Sequence, residues 1–427
     1  MMARKLGVLM ALGLVLSLSA VAETVMHGRV SYESGGAMVK GSGESDWSYA
    51  TVNTLVLPGD TLWADAGALL ELELSGGTFL RMADQSKTDV VTMPPNVLFR
   101  GWGGSYYIHR TSRSSGTVVF QTPAAYIDVS RDTHVRIDVV ESGATTVSVR
   151  WGNVAVRTET GAPVGVTNGQ RVFIDPGYLP SLPQRFNVNA EDDFDAWSRE
   201  RARLVATGGE AIPRTHYRVT SEPIGTYELA NYGEWVYVDR TPYWRPTVVV
   251  DYVPYRHGIW TYCNPYGYVW VGDYPFSYVT THYGRWIHNP TYGWLWTYTG
   301  VWGPAWVASV RCGPYFVWAP LDPFGYPCVV GRSVWDFNSF TLSLGAGSFC
   351  LASNLFHGFP HARPISTGIF NQINADDITV WNIFGNTVNV NFPWASGLPV
   401  RDFKPDRVVR GPDAVASGSR VIRASER

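Results

Sequence analysis

The residues of this chain best suited to chemistry are indoles. Trp235, Trp260 and Trp286 each close a Gly-x-Trp step, and Trp244, Trp270 and Trp296 follow nine or ten residues later. An open row of such rings would stack on the apolar C–H faces of sugars or hold quaternary ammonium groups by cation–π attraction. On that reading the ligand platform is Trp235, Trp260, Tyr262, Trp270, Trp286 and Trp296.

The ionisable residues offer less. Nine histidines are scattered, with no His-Glu-x-x-His pattern. His357 and His361 are four apart, but Gly358 and Pro360 between them break the helix that would align them on a metal. His257, His282 and His288 lie near the aromatic repeats, yet a general base needs a placed partner. Glu71 and Glu73 share one strand face, which suits the solubility of an edge strand better than a glycosidase pair. Asp192, Asp193 and Asp195 crowd a helix start, where they complement the helix dipole. The chain has no Gly-x-Ser-x-Gly elbow, P-loop or dinucleotide fingerprint. The sequence therefore predicts no enzyme activity, no cofactor and no metal site.

The elements that must position the indoles are hairpins. Ten of the 18 tryptophans and 15 of the 23 tyrosines lie between Tyr232 and Tyr326, in three two-stranded units. Asn264-Pro265-Tyr266-Gly267 turns the second unit, His288 to Gly293 the third, and Asp239-Arg240-Thr241-Pro242 a degenerate first. Period two places Trp260 and Tyr262 on one face, Trp235 with Tyr237, Trp286 with His288, and Tyr268 with Trp270. A lone hairpin is marginal in water, so the three must pack together or on a neighbour. Each enclosed aromatic ring buries about 150–250 Å², so most of these rings must be core.

Upstream, alternation at period two with frequent turns argues an all-β roll or sandwich. The expected strands are Leu69 to Leu74, Val118 to Gln121, Ala125 to Val129, His134 to Val140, Thr145 to Arg150 and Val154 to Thr158. Residues 189–207 read as a helix, with Asn189 as cap, Phe194 and Trp197 buried, and Gly208-Gly209 as stop. After Val330 the periodicity fades. Residues 331–398 are expected to be irregular with short strands at Ile378 to Ile383 and Thr387 to Asn391, and residues 399–427 a disordered tail.

Arg4 and Lys5 precede an apolar run from Leu6 to about Leu18, and Ala20-Val21-Ala22 follows. This pattern predicts a signal peptide over residues 1–22, cleavage after Ala22, and a periplasmic or secreted protein with no later membrane span. The chain carries 34 basic and 36 acidic residues with no long basic run, which argues against a nucleic-acid partner. Cys263, Cys312, Cys328 and Cys350 would meet an oxidising compartment, where staples are slightly favoured over buried thiols and three pairings stay open.

Two resemblances add to this reading. Residues 50–175 resemble the FecR domain of bacterial envelope proteins. The pieces that carry it are Leu57-Pro58-Gly59-Asp60, Ala68 to Leu72, Phe120 to Ala124, Thr145 to Val149 and Gly152 to Val156. The resemblance implies a small periplasmic β module over residues 23–180, used in some relatives for protein contacts in envelope signalling; the chain lacks their cytoplasmic helical segment and internal membrane span. Residues 190–330 resemble an uncharacterised Trp/Tyr-rich domain that follows FecR domains. That likeness rests on Asp193 to Trp197 with Arg201, Tyr283 to Trp286, Tyr292 to Trp296, Trp302 to Val307 and Trp318 to Leu321. It implies an architecture for residues 225–330 but no activity. The Gly-x-Trp-x-Tyr lettering also resembles the shorter repeats of cell-wall choline-binding proteins, which lack the Pro-Tyr-Gly turn.

The fold expected is mainly β: a FecR-like roll or sandwich, a linking helix, an aromatic hairpin domain and a loose tail. The function expected is a non-catalytic envelope protein that binds another protein or acts as a scaffold. The alternative is glycan binding, above all peptidoglycan, through the tryptophan row.

Overall fold

The computed structural model describes residues 26–208, 211–219, 222–331, 333–337, 340–351, 362–365, 378–384 and 400–402. The protein is mainly β, with a helix between two β-rich parts. The signal-peptide residues 1–22, the His357/His361 pair and the strand expected at Thr387 to Asn391 lie outside the described residues.

The upstream part is a branched sixteen-stranded sheet that folds on itself. Two 15-residue strands, Thr78–Thr92 and Asn96–Arg110, run through it. Their register shifts between Ala83 and Lys87, where Asp84 and Gln85 take positive φ. Such a bulge bends both strands, so one half of each pair can cover the other. The core between is aliphatic, with Leu70, Leu72, Leu80, Ile108, Ile137 and Val147 all fully enclosed. Leu69–Leu74 pairs with Gly28–Ser34 on one side and Thr78–Thr92 on the other. It is therefore no edge strand, and Glu71 and Glu73 are buried rather than solvating.

Helix α1 spans Asp193–Thr207. Its cap is Asp192 rather than Asn189: Asp192 Oδ1 accepts from the Asp195 amide at 2.8 Å, and Asp195 Oδ2 accepts from the Asp192 amide at 3.0 Å. Two sheet arginines fix this start, since Arg136 reaches Asp192 at 2.6 Å and Arg150 reaches Asp195 at 2.5 Å. Phe194 is buried as expected and Trp197 half-buried, both against Ala83 and Tyr107 of the sheet. The acids at Asp192 and Asp195 are thus cap and ion-pair partners.

Downstream, α2 (Tyr227–Tyr232) leads into the first hairpin, Gly233–Val238 with Thr241–Pro246. Asp239 and Arg240 both take positive φ at its tip, a two-residue turn that needs no glycine. The second hairpin pairs Gly258–Cys263 with Gly267–Gly272. Helix α3 (Ser277–His282) precedes the third, Tyr283–Asn289 with Gly293–Trp302. There Asn289 Oδ1 accepts from the amides of Thr291 and Tyr292 at 2.8 and 3.1 Å. A fourth hairpin, absent from the sequence expectation, pairs Val307–Cys312 with Tyr315–Pro320. It joins Ser348–Leu351, Arg363–Pro364, Ile378–Asn382 and Val400–Asp402 in a six-stranded sheet. The expected loose tail therefore begins with a strand at Val400–Asp402, and residues 403–427 lie outside the described residues.

The nine-to-ten spacing is a cross-strand register. Trp235 faces Trp244, Trp260 faces Trp270 and Trp286 faces Trp296 across their hairpins. Trp244 also pairs with Trp296, so four tryptophans form one ladder over the first and third hairpins. Trp260, Trp270 and Trp318 make a second cluster, with ring centroids 5.2–5.9 Å apart.

The Gly-x-Trp step has a steric cause. A Cβ on Gly258 would strike the Val271 carbonyl oxygen and lie 2.8 Å from the Trp270 indole; one on Gly284 would strike the Thr297 carbonyl oxygen and lie 2.7 Å from Trp296 Nε1. The backbone φ there is +152° and +135°, which other residues rarely adopt. Gly258→Ala is expected to cost about 2–3 kcal/mol in urea unfolding. Gly293→Ala, with positive φ but nothing within 4 Å, is expected to cost about 1–2 kcal/mol. Equal effects would argue against the indole contact.

Candidate functional site

The predicted platform is not an open one. Trp260 and Trp296 are 0% exposed and Trp270 and Trp286 1%, while Trp235 and Tyr262 are half-buried. Nor do the enclosed rings share a plane: Trp260 meets Trp270 at 72°. These indoles are spent on packing, because each hairpin must cover its apolar face with its neighbours' rings. Several also tie backbone: Trp244 Nε1 donates to Leu229 O at 3.0 Å, Trp286 Nε1 to Thr280 O at 2.9 Å, and Trp235 Nε1 to Ala211 O at 2.9 Å.

The cysteines are buried thiols, not staples. Burial pushes the thiols of Cys312, Cys328 and Cys350 well above their ordinary range. Cys328 donates through sulfur to Trp286 O at 3.0 Å.

What the structure does bring together is a row of buried charges where the sheet, α1 and α2 meet. Arg29 donates to Glu73 at 2.8 Å, and Arg81 and Arg201 donate to Glu71 at 2.6 and 2.7 Å. Glu228 lies 3.4 Å from Arg29, and Tyr227 Oη accepts from Arg201 at 3.1 Å. Three arginines thus face three glutamates, all buried. Burial works against ionising Glu71, yet Arg201 and Arg81 hold its carboxyl well below the usual range. Burial raises Glu73 and Glu228, opposed by Arg29. Arg29 remains cationic, since Glu73, Tyr227 and Glu228 overcome its burial.

Residues 27–57 stitch the two β-rich parts together. Arg29 Nη1 donates to Pro275 O at 3.0 Å, and His27 meets Tyr278 Oη at 2.7 Å and Tyr266 Oη at 3.2 Å. Asn53 Nδ2 donates to the carbonyls of Gly272 and Tyr274 at 2.8 and 2.7 Å. Leu55 and Leu57 join the aromatic core.

Beside this network opens a cleft of about 1080 Å³. Its walls are the Ser75–Gly77 turn, the Thr111–Ser115 loop, the exposed side of α1, the linker around Arg214 and Glu222, and the Tyr298–Trp302 stretch. Arg113 Nη1 donates to both oxygens of Glu222 at 2.9 and 3.0 Å, and Arg214 Nη2 donates to Oε1 at 3.1 Å. His109 lines the floor, packed on Phe79 and Trp151, and its Nδ1 has no hydrogen-bond partner. Burial, with Arg81 nearby, lowers its pKa to about 3. Glu73, Asp132 and Glu222 share the cleft, but Arg29 occupies Glu73 and two arginines occupy Glu222.

Among the described residues no three His, Cys, Asp or Glu side chains converge as metal ligands. His257, His282 and His288 are not one group either; His282 is buried against Gly303 O at 2.8 Å, and His288 packs on Trp294. Among the described residues no helix is long and apolar enough to cross a membrane. Sequence reasoning missed the cleft and the charge row. The one trace was Arg201, four residues past Trp197 in the same helix, on the α1 face that closes over Glu71.

Comparison with known proteins places the downstream part first. Residues 226–325, which hold all four hairpins, match the model of a family of unknown function (DUF6600). No curated protein matches the chain. Two solved structures are similar, each of a proposed anti-sigma factor from Parabacteroides distasonis ATCC 8503. The first, at 1.65 Å resolution, is 14% identical with a TM-score of 0.27, over 30% of this chain and 60% of its own. The second, at 2.50 Å, is 12% identical with a TM-score of 0.28, over 44% of this chain and 98% of its own.

Proposed function

We propose that this is a non-catalytic, exported protein of the cell envelope that binds another protein or holds a protein assembly together. In this reading residues 23–180 are a FecR-like module, delivered by the leader over residues 1–22, and the aromatic hairpins form a rigid buttress. The observation that carries it is the junction: a buried charge row fixes two β-rich parts around an open cleft, while the repeated indoles face inward. A peptidoglycan platform would need open ring faces, which four of its six residues do not offer.

Site-specific photo-cross-linking in cells tests the proposal. A cross-linker in place of Val301, exposed on the cleft rim, is expected to capture a defined envelope protein. One in place of Tyr178, exposed outside the cleft, is not. Identical products from both positions, or capture of peptidoglycan alone, would contradict it.

A further inference from the structure

We propose that the cleft seats an extended acidic polypeptide segment, with one of its carboxylates replacing Glu222 between Arg113 and Arg214. The inference rests on the protein-binding reading above and names the chemistry of the partner.

The mouth already displays the recognition. Arg113 on the Thr111–Ser115 loop and Arg214 on the linker converge on a single carboxylate, and the side chains of Arg113, Arg214 and Glu222 are 63%, 46% and 32% exposed. An ion pair so open to water holds weakly and exchanges readily. A guanidinium fork accepts any carboxylate of matching geometry, so Glu222 stands where a ligand's acid would. Arg199 and Arg203 on α1 line the same cleft, each in an open ion pair of its own, with Glu191 and Glu200.

A sugar polymer fits less well. Of the aromatic rings lining the cleft, Phe79, His109, Tyr227, Tyr283 and Tyr298 are buried. Trp151 already carries His134 stacked at 4.1 Å, and Trp302 carries Tyr266 at 4.6 Å and His27 at 4.9 Å. No wide ring face is left for a pyranose to cover. Nor does the chain's own end supply the acid: Lys404 and five arginines outnumber Asp406, Asp413 and Glu426 over residues 403–427.

The test uses the whole mature chain and a fluorescein-labelled octapeptide of alternating glutamate and valine. Its glutamine counterpart and a chitin tetrasaccharide serve as the other arms. The glutamate peptide is expected to bind about tenfold or more tightly than the glutamine peptide, with the gap closing as salt rises. Arg113→Gln with Arg214→Gln should abolish the gap, whereas Glu222→Gln should tighten the glutamate peptide by roughly threefold. All three side chains are solvent-facing, and circular dichroism checks that the variants fold. Equal affinity for the two peptides, no binding of either up to about 1 mM, or preference for the sugar would overturn the proposal. If the Val301 cross-link forms equally well in the double arginine variant, the acidic-segment inference falls while protein binding stands.

Discussion

Replacing Glu71 by alanine is expected to lower the unfolding free energy by about 3–5 kcal/mol, since it removes the shared acceptor of two buried arginines. Arg81 and Arg201 would then face each other at a buried junction, with Glu228, 4.0 Å from Arg201, as the remaining counter-charge. The loss should appear in urea unfolding followed by tryptophan fluorescence. Arg203→Ala, on the exposed side of the same helix and paired with Glu200, should change stability by less than about 0.5 kcal/mol. A loss below about 1 kcal/mol for Glu71→Ala would mean that the charge row is hydrated and does not hold the two parts together.

Acid should unfold the protein well above the carboxylate range. His27 and His134 are held far below the ordinary histidine value by burial, His282 at about 4 and His109 at about 3. Each stays neutral in the fold while its unfolded counterpart takes a proton near pH 6.5, so the unfolded chain binds more protons and stability falls as pH falls. The loss starts below about pH 6.5 and runs at about 1.4 kcal/mol per pH unit for each histidine until its folded pKa is reached. Glu73 and Glu228, raised by burial, oppose part of this as the pH approaches their folded pKa values. Glu71, held down by Arg201 and Arg81, adds to the loss below about pH 4.5. Melting temperature measured from pH 7.5 to 4.5 is expected to drop steeply below pH 6. A flat profile down to pH 5 would show that these rings are hydrated.

Local patterns were legible in the sequence and non-local ones were not. The nine-to-ten spacing of tryptophans placed three hairpins correctly, because register inside a hairpin is fixed by its own turn. The Trp244–Trp296 contact that welds two hairpins into one sheet carries no such signal, and the fourth hairpin has a tryptophan on only one strand, Trp318. Period two assigned Glu71 and Glu73 to one face. It cannot say what covers that face, and the cover is α1 and α2, more than 100 residues away in the chain. The cleft was invisible for the same reason, being assembled from a turn, a loop, a helix and a linker. The enclosure of Trp260, Trp270, Trp286 and Trp296 follows from arithmetic that the sequence already contained: so many large rings in so short a stretch cannot all be left in water.

Oxidative footprinting of the native protein, with each tryptophan read by mass spectrometry, tests the inward-facing indoles most directly. Trp102, 47% exposed, should be modified rapidly, while Trp244, Trp260, Trp270, Trp286, Trp296 and Trp318 should stay protected until the protein unfolds. Modification of Trp260, Trp270, Trp286 and Trp296 at the rate of Trp102 would contradict the account and restore an open tryptophan row as the binding surface.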